Sequence, residues 1–291
     1  HESELRGDAL VLTRFGDTRV ETQESMITYC EPGSDDWAIR SREMKLYPAE
    51  GYGESWHTRF EVAGVPVFYL PYFYFPLDDT RRSGFLYPTL STSEQDGYDL
   101  ALPYYFNIAP NLDDTLTTRV IEQRGLMLEN ELRYLDRYGL NQLSTGWMPN
   151  DDQTSNERWL FNFDHQGSPA PGWSSAIDFS RVSDDAYFDD IAPVELRAPK
   201  SDDLNQRASL SYSASSWSAS ALVNDYQTID GAAEPYARMP QLNLNGSNSL
   251  GDTGYFDSTE TINDIRINYL AQYTDFQHDS LVDGQRVHLR P

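Results

Sequence analysis

From Phe85 to its end the chain is built from segments of roughly 10 residues in which apolar and polar side chains alternate, and this pattern restricts the fold more than any other feature. Successive side chains of an extended strand point to opposite faces, so alternation sorts residues by face. In 125–135, Leu126, Leu128, Leu132 and Tyr134 share one face, and Glu129, Glu131 and Arg133 share the other. Trp159, Phe161 and Phe163 oppose Asn162, Asp164 and Gln166. Trp173, Ile177 and Phe179 oppose Ser174, Asp178 and Ser180. Strands are predicted near 85–94, 97–107, 112–123, 125–135, 139–148, 157–167, 172–182, 204–214, 217–228, 235–245 and 262–277, with a last one from 285. The predicted fold class is all-β and antiparallel.

Alternation alone suits two environments. In a soluble β-sandwich the apolar face packs into a core. In a transmembrane barrel it meets lipid, and the segments here approach the ~9–11 residues of a tilted membrane strand. Tight connections at Asp96-Gly97 and Gln123-Arg124-Gly125, beside long polar ones at 183–203 and 246–261, favour the unequal loops of a barrel. Hydrophobic residues make up 39% of the chain and mean hydropathy is −0.61. No stretch approaches the ~20 apolar residues of a membrane helix. A barrel shows its membrane face only at every second residue, which reconciles low hydropathy with 13% aromatic content and 19 tyrosines. With 46 acidic and 22 basic residues and a net charge of −24, little could neutralise phosphates, so a nucleic-acid partner is not expected.

Residues 5–75 read as a separate set of short strands, with turns at Pro32-Gly33-Ser34 and near Glu50-Gly51. The run GVPVFYLPYFYFPLDD from Gly64 is followed by RRSGFLYPTLS and DLALPYYFNIAPN. Two of its strand-like segments carry an interior proline, Pro88 and Pro103. Proline has no N–H to give a neighbouring strand, so it survives where pairing ends, bulges or must be weak. Two such prolines in consecutive strands suggest a seam built to open, with strand ends or bulges near the rim as the alternative. Phe68, Tyr69, Tyr72 and Phe73 suit either a core strand or an apolar path, and Arg81 and Arg82 suit either a solvated rim or lipid phosphates. Cys30 has no second cysteine to pair with. Catalytic chemistry is not legible: His1, His57, His165, His278 and His288 are scattered, and no nucleophile elbow, metal motif or phosphate loop occurs. The pairs Asp78-Asp79, Asp113-Asp114, Asp151-Asp152 and Asp202-Asp203 fall in predicted turns and loops, where solvated caps are expected. No enzyme activity, cofactor or metal is predicted.

Five strings carry a resemblance: Cys30-x-Pro-Gly-Ser-Asp-x-Trp37, GVPVFYLPY from Gly64, RRSGFLYP from Arg81, LPYYFNIAPN from Leu102 and ENELRYL from Glu129. They are long and aromatic-rich, and together they resemble the LptD family of outer-membrane lipopolysaccharide-assembly proteins in Gram-negative bacteria. The resemblance implies a periplasmic, OstA-like jelly roll that feeds a very large barrel opening laterally. Residues 1–75 would be the C-terminal part of the jelly roll, 76–84 a hinge, and 85–291 the first eleven or twelve strands of a barrel completed by residues or a chain outside this sequence. Pro88 and Pro103 would match the family's gate prolines, and Cys30 a cysteine bridged to a partner outside this sequence. Phe68, Tyr69, Tyr72 and Phe73 would line a lipid path or hinge. The implied partners are lipopolysaccharide, outer-membrane lipids, the plug lipoprotein LptE and the periplasmic bridge protein LptA. The rival from another class is a soluble acidic β-sandwich that binds or cleaves polysaccharide.

Overall fold

The structure, a computed structural model, describes residues 6–28, 37–78, 80–86, 88–191, 203–229, 231, 233–250 and 265–291. The chain divides into two compact units, His1–Tyr87 with Leu102–Ile108, and Pro88–Ala101 with Ala109–Pro291. Among the described residues no helix is long and apolar enough to cross a membrane.

The first unit holds a five-stranded antiparallel sheet in chain order: β1 (Arg6–Phe15), β2 (Arg19–Thr28), β3 (Trp37–Tyr47), β4 (Tyr52–Val62) and β5 (Val65–Pro76). The predicted turn at Glu50-Gly51 joins β3 to β4, with Gly51 at a φ of 73° that glycine adopts without strain. The predicted turn at Pro32-Gly33-Ser34 lies outside the described residues.

A transverse crease crosses this sheet. The register skips Leu10, Glu24, Arg42, His57 and Pro71, which lie opposite one another along one row. Glu24 and His57 adopt left-handed φ values of 49° and 53° there, and Pro71 has no N–H to donate. The alternation slips by one residue at the row. Thr22 and Ser25, Ser41 and Met44, and Ser55 and Thr58 are all buried although each pair is three positions apart, a spacing that puts side chains on opposite faces of a regular strand. Hydroxyls line the buried side, with Ser55 Oγ donating to Ser41 Oγ at 2.7 Å and lying 2.7 Å from Thr58 Oγ1. A left-handed non-glycine residue costs about 1–2 kcal/mol, partly offset by glycine's larger loss of backbone freedom. Glu24→Gly is therefore expected to slow amide exchange at Gln23 and Ser25 about two- to fivefold; unchanged or faster exchange would show that the crease carries no strain.

Thirteen short and long strands make the second sheet. They are β6 (Gly84–Phe85), β7 (Thr89–Ser93), β8 (Gly97–Ala109), β9 (Leu112–Ile121), β10 (Gly125–Leu135), β11 (Gly139–Asp151), β12 (Asn156–Gly167), β13 (Trp173–Val182), β14 (Asp203–Ser213), β15 (Trp217–Thr228), β16 (Ala237–Leu250), β17 (Ile265–Gln277) and β18 (Gly284–Arg290). Neighbours are consecutive and antiparallel, so the all-β, antiparallel expectation holds. The segment expected as one strand at 85–94 is two, β6 and β7, both pairing with β8.

The two faces of the second unit have opposite polarity to a soluble sheet. On the buried face lie Arg119, Glu129, Gln142, Ser144, Arg158 and Asn162. On the exposed face lie Val120, Leu126, Trp147, Phe161, Trp173, Val223 and Leu244. The alternation read from the sequence is therefore correct, and the charged side is the one turned inward.

One apolar cluster interrupts the polar inner face. The connection after β13 carries a one-turn helix, α1 (Tyr187–Asp190), and Tyr187, Phe188 and Ile191 pack on Ile121, Met127, Met148, Leu160, Val182, Leu204 and Ile229. The sequence predicts a polar loop here, and the difference arises because Tyr187, Phe188 and Ile191 turn their side chains into the sheet. The chain leaves β7, β9, β11, β13, β15 and β17 at one end of the sheet, and β8, β10, β12, β14 and β16 at the other. β13 and β16, after which the two long connections begin, thus end on opposite sides, and the tight turns cited from the sequence share the end where β13 stops. Loop length does not by itself distinguish the two ends.

Candidate functional site

The first strands of the second sheet carry the proline-marked break. In the first unit Gly84 pairs with Tyr105 and Phe85 with Tyr104, and the Leu86 N–H donates to the Pro103 carbonyl at 2.9 Å. In an antiparallel ladder the N–H and C=O of one residue face the same neighbour. The donor that Pro103 lacks would thus also have faced Leu86, and this pair keeps one of its two bonds. In the second unit Thr89 pairs with Ala101 and Ser93 with Gly97. The register differs by one residue between the two stretches, Phe85 standing opposite Tyr104 and Thr89 opposite Ala101. Pro103 is inside β8, and Pro88 stands in the gap between β6 and β7.

Residues ahead of the break are tied down by two arginines. Arg82 donates to the Glu50 carbonyl at 2.6 Å and to Tyr74 Oη at 3.2 Å, and pairs with Asp78 at 3.6 Å. Arg81 Nε donates to Tyr105 Oη at 2.8 Å, and Asn107 Nδ2 donates to the Arg81 carbonyl at 2.7 Å. Both guanidiniums are therefore engaged within the first unit, a role the sequence did not disclose.

The four aromatic candidates of β5 separate by face. Phe68 and Phe73 both pack on Phe60, with ring centroids 5.9 and 6.1 Å away. Tyr69 and Tyr72 are on the opposite, exposed side, where Tyr69 Oη meets His57 Nδ1 and Tyr72 Oη donates to Glu54 at 2.8 Å. Burial and that carboxylate push the Tyr72 hydroxyl up to about 12. Phe68 and Phe73 thus share one side of β5, and Tyr69 and Tyr72 the other. Cys30 lies outside the described residues.

The inner face of the second unit is a wall of buried ion pairs. Arg119 bridges Asp99 at 2.5 Å and Glu129 at 3.1 Å. Nearer the end that carries α1, Asp151 accepts from Arg124 at 2.9 Å and from Arg158 at 3.1 Å. The same arginines reach Asp190 of α1 at 3.4 and 3.0 Å, and Arg158 also pairs with Asp184 at 2.6 Å. Burial raises the Tyr187 hydroxyl well above its usual range, so it stays neutral among these charges. Asp113 and Asp151, expected as solvated caps, are buried and paired, Asp113 with Arg133 at 2.8 Å; each stands at a strand position whose neighbour supplies a guanidinium. Among the described residues no group of three or more His, Cys, Asp or Glu side chains is arranged to hold a metal ion.

Comparison with known proteins bears on this arrangement. A family model described as LPS transport system D, LptD, matches residues 156–291. Three relatives named LPS-assembly protein LptD extend the match. That of Marinobacter nauticus is 41% identical over 263 residues, 86% of this chain and 33% of the relative. That of Pseudomonas syringae pv. syringae is 37% identical over 255 residues, 85% of this chain and 28% of the relative. That of Saccharophagus degradans is 36% identical over 276 residues, 86% of this chain and 32% of the relative. This chain belongs to the LptD family. It spans between 28% and 33% of the length of these relatives.

Proposed function

We infer that this chain is the part of a lipopolysaccharide translocon where a periplasmic jelly roll joins an outer-membrane barrel. Residues 1–75 form the last strands of the jelly roll, 76–84 the hinge, and 85–291 the first strands of the barrel. Lipopolysaccharide moves along the buried side of the first sheet, past Phe68 and Phe73, and leaves through a lateral gate whose first strands are weakened at Pro88 and Pro103. The partners are those of the family: LptA delivering to the jelly roll, LptE plugging the barrel, and the outer-membrane lipids around it. Cys30 is disulfide-bonded to a cysteine beyond this sequence. Transport is non-enzymatic.

One observation carries this reading. The second sheet exposes its apolar residues and buries its charges, an arrangement that is stable where the outer solvent is lipid and the enclosed space is wet. A soluble polysaccharide-binding sandwich requires the reverse polarity, with its apolar face in the core.

The gate is tested by Pro103→Ala in the full-length protein. The new N–H faces the Leu86 carbonyl and restores a bond of about 0.5–1.5 kcal/mol, reducing the open population by roughly two- to tenfold. Newly made lipopolysaccharide is expected to reach the cell surface correspondingly more slowly, at an unchanged level of folded protein. An unaltered rate, with the newly introduced backbone amide protected from exchange, would remove the gate role of this residue.

A further inference from the structure

The geometry points to a phospholipid headgroup site at Arg137, at the end of the second sheet opposite α1. The turns 136–138 and 168–172 border an open, shallow cleft of about 680 Å³ lined by Arg137, Tyr138, Pro169, Pro171 and Trp173. The Arg137 guanidinium lies 4.3 Å from the centre of the Tyr138 ring and touches its hydroxyl. No carboxylate pairs with it among the described residues. The adjacent Asp136 carboxylate instead accepts the backbone N–H groups of Tyr138 at 2.7 Å and Gly139 at 2.8 Å. A guanidinium that rests on an aromatic ring without a carboxylate partner still has N–H groups of its planar fork to present to a phosphate oxygen.

The cleft's walls are fixed in place. The Ser168 N–H donates to the Tyr138 carbonyl at 2.6 Å, the Trp173 N–H to the Ala170 carbonyl at 2.9 Å, and the Ser213 N–H to the Gly172 carbonyl at 2.7 Å. Trp173 continues outward into a row of rings, 5.1 Å from Tyr212, which is 5.2 Å from Trp217. These rings stand on the exposed apolar face where it meets the turns, the position of an interfacial aromatic belt. The cleft therefore opens at headgroup depth, with Trp173 against the upper acyl chain and Arg137 on the phosphate. This assignment rests on the membrane reading above. On that reading this end faces the periplasm, where the leaflet is glycerophospholipid, and the occupant is the headgroup phosphate of such a lipid.

The test uses the full-length protein reconstituted into vesicles of phosphatidylethanolamine and phosphatidylglycerol. Insertion is read first by flotation, and lipid retention afterwards by native mass spectrometry of the detergent-released protein. The wild type is expected to hold one phospholipid after the others have been stripped. Arg137→Gln should lower that occupancy about tenfold, the effect of one lost charge-assisted bond, and Arg137→Lys should lower it less. Inorganic phosphate added in excess should leave the lipid in place. Equal retention by Arg137→Gln overturns the site, and displacement by phosphate reassigns it to a free anion and overturns the lipid. Failure of the wild type to float overturns the membrane reading itself, a result distinct from either.

Discussion

Asp151→Ala is expected to destabilise the second unit by about 3–5 kcal/mol, because it leaves buried guanidiniums without their shared counter-ion. Asp151 has no exposed surface, and both Arg124 and Arg158 point at its Oδ2. Asp190 touches the same two arginines but is itself partly exposed, so it compensates only in part. Asp151→Asn keeps the shape and loses the charge, and should fall between. The measurement is the temperature at which the folded full-length protein converts to its slow-migrating unfolded form on a gel. Arg14–Asp17 provides the control, an ion pair whose side chains are 66% and 95% exposed. Asp17→Ala should leave that temperature unaltered. If Asp151→Ala behaves like Asp17→Ala, the buried network does not hold the 183–191 segment in place.

Charge on the exposed face gives the next largest effect. Phe161 projects outward from the middle of β12 and packs edge-on against Phe179, 5.8 Å away on β13. Arginine on the lipid face of a barrel costs about 2–4 kcal/mol near the midplane. Phe161→Arg should therefore lower the yield of inserted protein and its unfolding temperature, whereas Gln166→Arg, on the opposite face of the same strand, should do neither. In a soluble sandwich with this face wet, Phe161→Arg would be harmless, so a neutral result would reject the membrane placement.

The extent of sequence legibility follows from which forces act locally. Strands such as Gly125–Leu135 and Trp173–Val182 are readable within a residue or two because alternation is written into each segment alone. The direction in which a face points is a property of the whole sheet, so Leu126 and Glu129 are separable in the sequence but not orientable. Asp151 looked like a turn residue because its partners lie 27 positions before it and 7 after it. The Tyr187-Phe188-Asp-Asp-Ile191 string offered one missed signal, three large apolar side chains within an acidic stretch, the composition of a segment that turns inward. The break around Pro88 and Pro103 was visible as composition, but the one-residue offset between β6 and β7 emerges only once both are paired to β8. In the first sheet, alternation at Met44-Lys45-Leu46-Tyr47 was legible and its slip at Arg42 was not, since a change of phase within one strand resembles ordinary irregularity until its neighbours show the same slip.

That shared slip limits how the first sheet can change in length. Deleting one residue near Glu24 would restore regular alternation to β2 alone, and its outward half would then present the wrong side chains to β1 and β3. The same holds for Arg42, His57 and Pro71 in their strands. A viable deletion or insertion at this row has to occur in all the paired strands together. Gaps in related chains are therefore expected in the hairpin turns and absent from the row itself.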